Sequence, residues 1–398
     1  MKRLLCLALL AATAAPAEVE LVVWHSYRAA EKAAIEKVAA GFNASHPGVK
    51  VTTLAVPYDA FADKISAAVP RGKGPDVFIY AQDRLGGWIE AGNTVEPIDF
   101  FLDDATKTRF IPGTLDAMTY RGTVWGLPVN YKVITLIYNK KLVTKPPADT
   151  REMVALAKKL TDAAAGRFGL AYWYSDYYYH AALQNAFGGR VFEPGTAKPV
   201  LNAPENVKGL ELLVSWIDQG ILPAEPSTAL ITALFNQGKA AMIFTGPWFL
   251  GEIDPSIEWG LAQLPAVPEA GNKPLRPWTT VEGAFIAAPS KHKDAAYEFV
   301  KYLTDAPAAK TMAVEGRQSP SNKAAYEDPR VANDPVLKAF HKQVEVAVPM
   351  PNLPEMTMVW SPATIMMASV AKRTIQPKPA LDKAQAEVVK TISELHRK

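Results

Sequence analysis

Two periodicities alternate along the first hundred residues. VELVVWHSY, residues 19–27, is a short apolar run of the kind that forms a strand covered on both faces. In the following AAEKAAIEKVAAGF, Ile35, Val38, Ala39 and Phe42 recur at the spacing that places them on one side of a helix. His46-Pro47-Gly48 stops that helix, and VKVTTLAVP reads as a second strand. From Asp59 the pattern is helical again, with Phe61, Ile65 and Val69 on one stripe, until PRGKGP ends it and DVFIYA supplies a third strand. The order β-α-β-α-β with short connections predicts an α/β architecture: an open, mainly parallel sheet with helices on both faces.

Further along, TVWGLPVNYKVITLIYNKKLV (123–143) contains another long apolar strand. NVKGLELLVSWIDQG places Val207, Leu210, Val214 and Ile217 on one helical face, with Gly220 as the C-terminal stop. STALITALFNQGKAAMIFTGPWF reads as a short helix, a glycine, then a strand that delivers Trp248. In SKHKDAAYEFVKYL, Ala296, Phe299, Val300 and Leu303 point inward and Ser290 is the expected N-cap. A last helix over 381–395 carries Leu381, Ala384, Val388, Ile392 and Leu395 on one side. No repeat and no low-complexity linker interrupts the chain, so two lobes must join without a floppy tether.

The chain's 398 residues allow two domains, each with its own core. With 43 Lys and Arg against 40 Asp and Glu, the charge is too balanced for a nucleic-acid or membrane-surface binder. MKRLLCLALLAATAAPAEVE has a cationic start, an apolar run from Leu4 to Ala12 and the small-x-small site Ala15-Pro16-Ala17. It reads as a secretory signal peptide over residues 1–17, cleaved after Ala17, which implies export to the periplasm. The apolar run is too short to span a bilayer, which takes about 20 residues. Cleavage removes Cys6, the single cysteine, so the exported chain has no disulfide and no thiolate ligand.

Candidate chemistry lies where strands end. YAQDRLGGW (80–88) follows a buried-type strand and offers a ring, a carboxylate and a guanidinium before two glycines. In open α/β sheets, ligands sit in the crevice beyond the carboxyl ends of strands, so HSYR and YAQDR should face one crevice. YWYSDYYYH (172–180) gathers six aromatic rings around Asp176, more than one face of a helix or strand can bury. Trp248, Trp360 and Tyr80 also follow loop or strand-end signals. Sugar rings offer C–H faces that stack on aromatic planes, and vicinal hydroxyls that carboxylates and guanidinium groups can engage in pairs. Any one of these rings could simply be core; the set, with Asp83-Arg84 and Asp176 beside tyrosines, favours a ligand groove.

Catalytic signals are weak. His25, His46, His180, His292, His341 and His396 show no metal-ligand spacing, and no phosphate-cradling or nucleophile-elbow motif occurs, so neither metal nor cofactor is expected. A glycosidase-type pair built on Asp83 or Asp176 stays open, because the separation that matters is spatial. His25 and His180 are more readily packed or solvated than ligand-bound.

GPDVFIYAQDRLGGWIEAG, VWGLPVNYKVITLIYNKKL, FNQGKAAMIFTGPW, YEDPR and MPNLPEMTMVW together resemble the bacterial solute-binding proteins of sugar ABC importers, in order across about residues 18–398. The resemblance implies a type II periplasmic-binding-protein-like fold: two lobes, each a mixed sheet flanked by helices, joined by a multi-strand hinge. It implies one lobe over 18–130 and 284–323, the other over 131–283 and 324–398. Crossings would fall near 130–134, 278–284 and 316–330. The implied ligand is a maltodextrin-like oligosaccharide, the implied partner a membrane permease, the protein a non-enzymatic monomer. The matching cleft positions are Tyr80 as a stacking ring, Asp83 and Arg84 as hydroxyl partners, and Asp176 where the family has a longer acid. Tyr178, Tyr179, Trp248 and Trp360 would stack and Met350 would pad the floor, with Ser26, Arg28 and Lys132 as further contacts.

The chain departs from that pattern at several polar positions. Lys132 stands in place of an acid, Ser361 in place of a ring, and Ala60 and Ala62 in place of a lysine and an acid. A tyrosine and an arginine that the pattern places near Thr228 and Thr364 are absent. The stacking platforms are kept better than the polar readers. Another oligosaccharide is therefore an alternative ligand. Polyamine, iron or glycerol phosphate in the same fold are others, the last wanting a basic pocket such as Arg28 with Lys132.

Overall fold

The computed structural model describes residues 18–395 except Pro112, so the expected leader over residues 1–17 lies outside the described residues. Strands β1 (Val19–His25), β2 (Val49–Ala55) and β3 (Val77–Ala81) alternate with helices α1 (Ala29–Ser45) and α2 (Tyr58–Ala68), the order the hydrophobic pattern requires. Helix α1 buries Ala34, Ile35, Val38, Ala39 and Phe42, the stripe expected from the sequence. Phe42 stacks on His46 at 4.0 Å and meets Phe299 edge-on at 5.3 Å. A ring so placed anchors the helix; truncating it to alanine typically costs about 3–5 kcal/mol.

Beyond these three strands the pairing becomes mixed. Strands β4 (Gly126–Lys132), β5 (Thr135–Asn139), β6 (Phe168–Ala171), β7 (Ala240–Thr245), β8 (Trp259–Ala262), β9 (Trp278–Ile286), β10 (Ser319–Pro320) and β11 (Val348–Pro349) complete two separate sheets. The first runs β10-β4-β9-β3-β1-β2, with β11 paired to β9. Its β1–β2 and β1–β3 pairs are parallel, but β9 runs antiparallel to both β3 and β4, and β10 antiparallel to β4. The sheet is therefore mixed, not mainly parallel. Local β-α-β patterning gives direction only to the strands it connects, and β9 arrives from far along the chain.

The second sheet runs β8-β5-β7-β6, with β6 and β7 parallel. The long apolar run over 123–143 is not one strand. It breaks at Val133-Ile134, so β4 belongs to the first sheet and β5 to the second. Both residues at the break are buried, which is why hydrophobicity carries no sign of the crossover.

Helix α3 (Leu85–Ala91) follows β3. Helix α4 (Tyr177–Ala186) follows β6, and α5 (Pro204–Asp218) packs against it. The buried line of α5 is Asn206, Gly209, Leu210, Leu213 and Trp216, about one position off the expected Val207, Val214 and Ile217, which are only partly buried. Gly209 sets the offset, since a Cβ there would lie 2.7 Å from the Gln184 backbone. Helix α6 (Lys293–Leu303) buries Ala296, Phe299, Val300 and Leu303 as expected. Ser290 does not cap it: His292 holds that position, and the Ser290 hydroxyl donates to Asp76 at 2.6 Å. Helix α7 (Trp360–Ala371) precedes the terminal α8 (Pro377–Leu395), where Leu381, Ala384, Val388 and Ile392 are buried; the Leu395 side chain lies outside the described residues.

Candidate functional site

The three parallel strands of the first sheet end at one edge. Beyond β1 lie Ser26, Tyr27 and Arg28, beyond β2 lie Pro57 and Tyr58, and beyond β3 lie Gln82, Asp83 and Arg84. In the second sheet the parallel pair β6 and β7 delivers residues 172–178 and Trp248. The loop over 350–360 completes the set with Met350 and Trp360.

Asp83 is 5% exposed, and its Oδ2 lies 3.3 Å from Arg84 Nε, an ion pair not aligned as a hydrogen bond. Burial pushes the Asp83 carboxyl up to about 6, with the adjacent guanidinium working against that rise. The Arg84 guanidinium carbon sits 6.0 Å from the Trp360 ring centre, a cation–π approach. Trp360 meets Trp278 edge-on at 6.0 Å, Tyr178 lies 6.3 Å from Trp278, and Trp248 lies 6.2 Å from Tyr178. An unbroken aromatic band thus runs from Trp248 to Arg84. Asp83, Arg84, Trp360, Tyr178 and Trp248 are brought together along it.

Along this band polar capacity is left over. Asp83 Oδ1, Arg84 Nε, the Tyr178 hydroxyl and Trp360 Nε1 are buried and have no hydrogen-bond partner among the described residues. Each such group is costly to leave unmatched, by about 1–3 kcal/mol, and in native proteins its persistence asks for a ligand or water. Two of these groups follow β3 of the first sheet, one lies on α4 beyond β6 of the second, and one begins α7.

The remaining positions have more structural duties. Asp176 caps α4 by accepting from the Tyr178 backbone N–H at 2.8 Å; burial pushes its carboxyl up to about 6, opposed by backbone N–H groups of Tyr178 and Tyr179. Tyr179 is buried beside Trp248 and within electrostatic reach of Arg28. Trp248 folds back over its own turn, where a Cβ on Gly246 would lie 2.2 Å from the indole. Met350 is buried, and its carbonyl accepts from Gln82 Nε2 at 3.2 Å, while Gln82 Oε1 accepts from the Val281 N–H at 2.7 Å.

Three expected contacts look different in the structure. Tyr80 is 5% exposed, with Tyr58 stacked on it at 5.4 Å and 18° and Phe61 at 5.2 Å and 6°. Its ring is the middle of a three-ring column, not an open platform. Lys132 is committed elsewhere: its Nζ lies 3.2 Å from both Glu31 and Glu282. Arg28 is exposed and pairs with Glu252 at 2.9 Å, and with Trp248 it lines a cleft of about 370 Å³. Ser26 is half-buried at the end of β1. Sequence reasoning passed over Tyr58. The available signal was an aromatic directly after a strand end, in VPYDAF.

Comparison with known proteins fits this architecture. The family model described as bacterial extracellular solute-binding protein matches residues 26–310. The chain belongs to that family. It is 32% identical over 382 residues to the maltotriose-binding protein of Pyrococcus abyssi, covering 94% of this chain and 82% of that one. It is 28% identical to the galactooligosaccharide-binding protein of Bacillus subtilis, covering 93% and 89%. Among solved structures, the maltose/maltodextrin-binding domain MalE from Bdellovibrio bacteriovorus, bound to maltotriose, superposes with a TM-score of 0.87 at 27% identity, covering 94% and 100%. As a solute-binding protein the chain has the type II periplasmic binding fold, two lobes each built on a mixed sheet. Among the described residues no helix is long and apolar enough to cross a membrane.

Proposed function

We propose that this solute-binding protein captures a malto-oligosaccharide between its two lobes and delivers it to the permease of an ABC importer without chemically altering it. One observation carries the reading: unmatched polar atoms of Asp83, Arg84, Tyr178 and Trp360 lie along a continuous aromatic band between the two sheets. A pyranose needs that mixture of flat apolar walls and paired polar groups. The maltotriose-binding relative and the maltotriose-bound structure point to the same class of sugar. The lobes of this proposal are 18–130 with 284–323 and 131–283 with 324–398. A sugar gripped by both stabilises the closed arrangement through contacts made only there.

Isothermal titration with maltotriose, and with a galacto-oligosaccharide of equal length, tests the proposal directly. Saturable binding of maltotriose, and intact sugar recovered afterwards, is expected. Preference for the galacto-oligosaccharide would redirect the ligand assignment, and cleaved product would replace capture with hydrolysis. Export belongs to the same proposal: the N-terminus of the mature protein recovered from the cell envelope should begin at Glu18.

A further inference from the structure

We infer that Tyr58, rather than Tyr80, is the ring against which the first lobe seats the sugar; this rests on the sugar-binding reading above. Tyr58 is the first residue of α2, placed by the carboxyl end of β2. Of the protein's 14 tyrosines it alone is exposed, at 54%. One face of its ring lies on Tyr80, which lies on Phe61 in turn, while Trp88 leans on Tyr80 at 5.6 Å. The column is rigid from behind, and only its outermost ring has surface to offer.

That surface is turned toward the site. The Tyr58 hydroxyl is within electrostatic reach of Asp83 and of Tyr178, the latter carried by the second lobe's α4. Tyr58 and Tyr178 therefore stand on the two sides of the same cleft, with the unmatched Asp83 oxygen and Tyr178 hydroxyl close by. A half-exposed ring, locked flat by stacking and set beside unmatched acceptors, is preorganised to receive the C–H face of a pyranose. It loses little conformational freedom on doing so. Tyr80 acts as its backing and positions it. This assignment also compensates for Ala60 and Ala62, the small residues that follow on the same helix and have no polar group to offer.

Hydroxyl-radical footprinting, mapped by peptide mass spectrometry with and without saturating maltotriose, reads the exposure of the ring on the unaltered protein. Tyr58 should be the most rapidly oxidised tyrosine, and maltotriose should slow its modification at least about fivefold. Tyr58→Ala should weaken maltotriose at least about tenfold, and Tyr58→Phe, which keeps the ring, should recover most of that loss. Maltotriose bound by the wild type with Tyr58 still freely oxidised, or with Tyr58→Ala within twofold of wild type, overturns the assignment and leaves the sugar reading standing. Failure of the wild type to bind any malto-oligosaccharide overturns both.

Discussion

Asp83 has two opposing demands on it. Its carboxyl is buried, and burial pushes its proton affinity up to about 6, above the ordinary value near 4 that it has in the unfolded chain. The native state therefore holds the Asp83 proton over a range where the unfolded state has lost it. Below about pH 4 the group is neutral in both states; as pH rises through about 6 the native state must carry a buried carboxylate and loses stability. Asp83→Asn removes that burden. Its stability relative to wild type should rise by about 2–3 kcal/mol between pH 4 and pH 7.5 in urea titrations, and a flat difference would show that Arg84 neutralises the charge fully. The same substitution should weaken sugar binding at pH 7.5, because the ionised oxygen is the stronger acceptor for hydroxyls. Trp360 makes the complementary case. It is half-buried, presents an unmatched Nε1 and stands under the Arg84 guanidinium. Trp360→Ala should reduce maltotriose affinity at least about tenfold by titration calorimetry, with a smaller loss in urea midpoint than a fully buried tryptophan would give.

The two glycines after Asp83-Arg84 act at the level of elements. A Cβ on Gly86 would lie 2.6 Å from the Asn352 carbonyl oxygen and 2.8 Å from Pro354 N, so α3 meets the 352–354 segment backbone to backbone. Asn352 also donates to the Ala117 and Thr119 carbonyls, at 3.3 and 3.2 Å, fixing the loop that leads to Trp360. Gly86→Ala should therefore destabilise by about 1–3 kcal/mol and displace Trp360, lowering sugar affinity as well. Gly87→Ala, whose Cβ would meet only the end of the Thr357 side chain at 3.0 Å, should do much less. Urea denaturation of the pair separates them.

The same elements show what was legible beforehand. The helical stripes of α1, α6 and α8 and the strand ends bearing Asp83, Asp176 and Trp248 could be read from spacing, because each is set by residues within one or two turns. The break at Val133-Ile134, the antiparallel entry of β9 and the cover over Tyr80 could not. Each depends on a partner more than a dozen residues away, and a buried crossover is as apolar as a buried strand. Tyr58 fell into the same gap: only the stacked column tells which of two neighbouring rings faces outward.

Over the whole molecule, capture requires that two sheets stay joined while the space between them changes. Strands β10, β4 and β9 lie side by side in the first sheet, and a buried polar cluster ties them together. Asn130 Nδ2 lies within hydrogen-bond distance of the Tyr27 hydroxyl, Glu282 and Gln318, at 2.9, 3.0 and 2.9 Å, and Lys132 Nζ lies between Glu31 and Glu282. Burial alone would lower the proton affinity of that ammonium, but the Glu282 and Glu31 charges outweigh it and hold Lys132 above the ordinary lysine value. A pair of carboxylates around one cation makes the cation indispensable. Lys132→Met leaves both acids without their counter-charge and should destabilise the protein by about 3–5 kcal/mol. Adding Glu282→Gln to that variant should return part of the loss, because it removes one of the stranded charges, and a double-mutant cycle in urea would report the coupling. If Lys132 were instead a sugar contact, the single variant would lose affinity out of proportion to stability, and the second substitution would restore neither. Measuring maltotriose affinity and unfolding free energy on all four proteins therefore distinguishes a strut between adjacent strands from a ligand-binding cation.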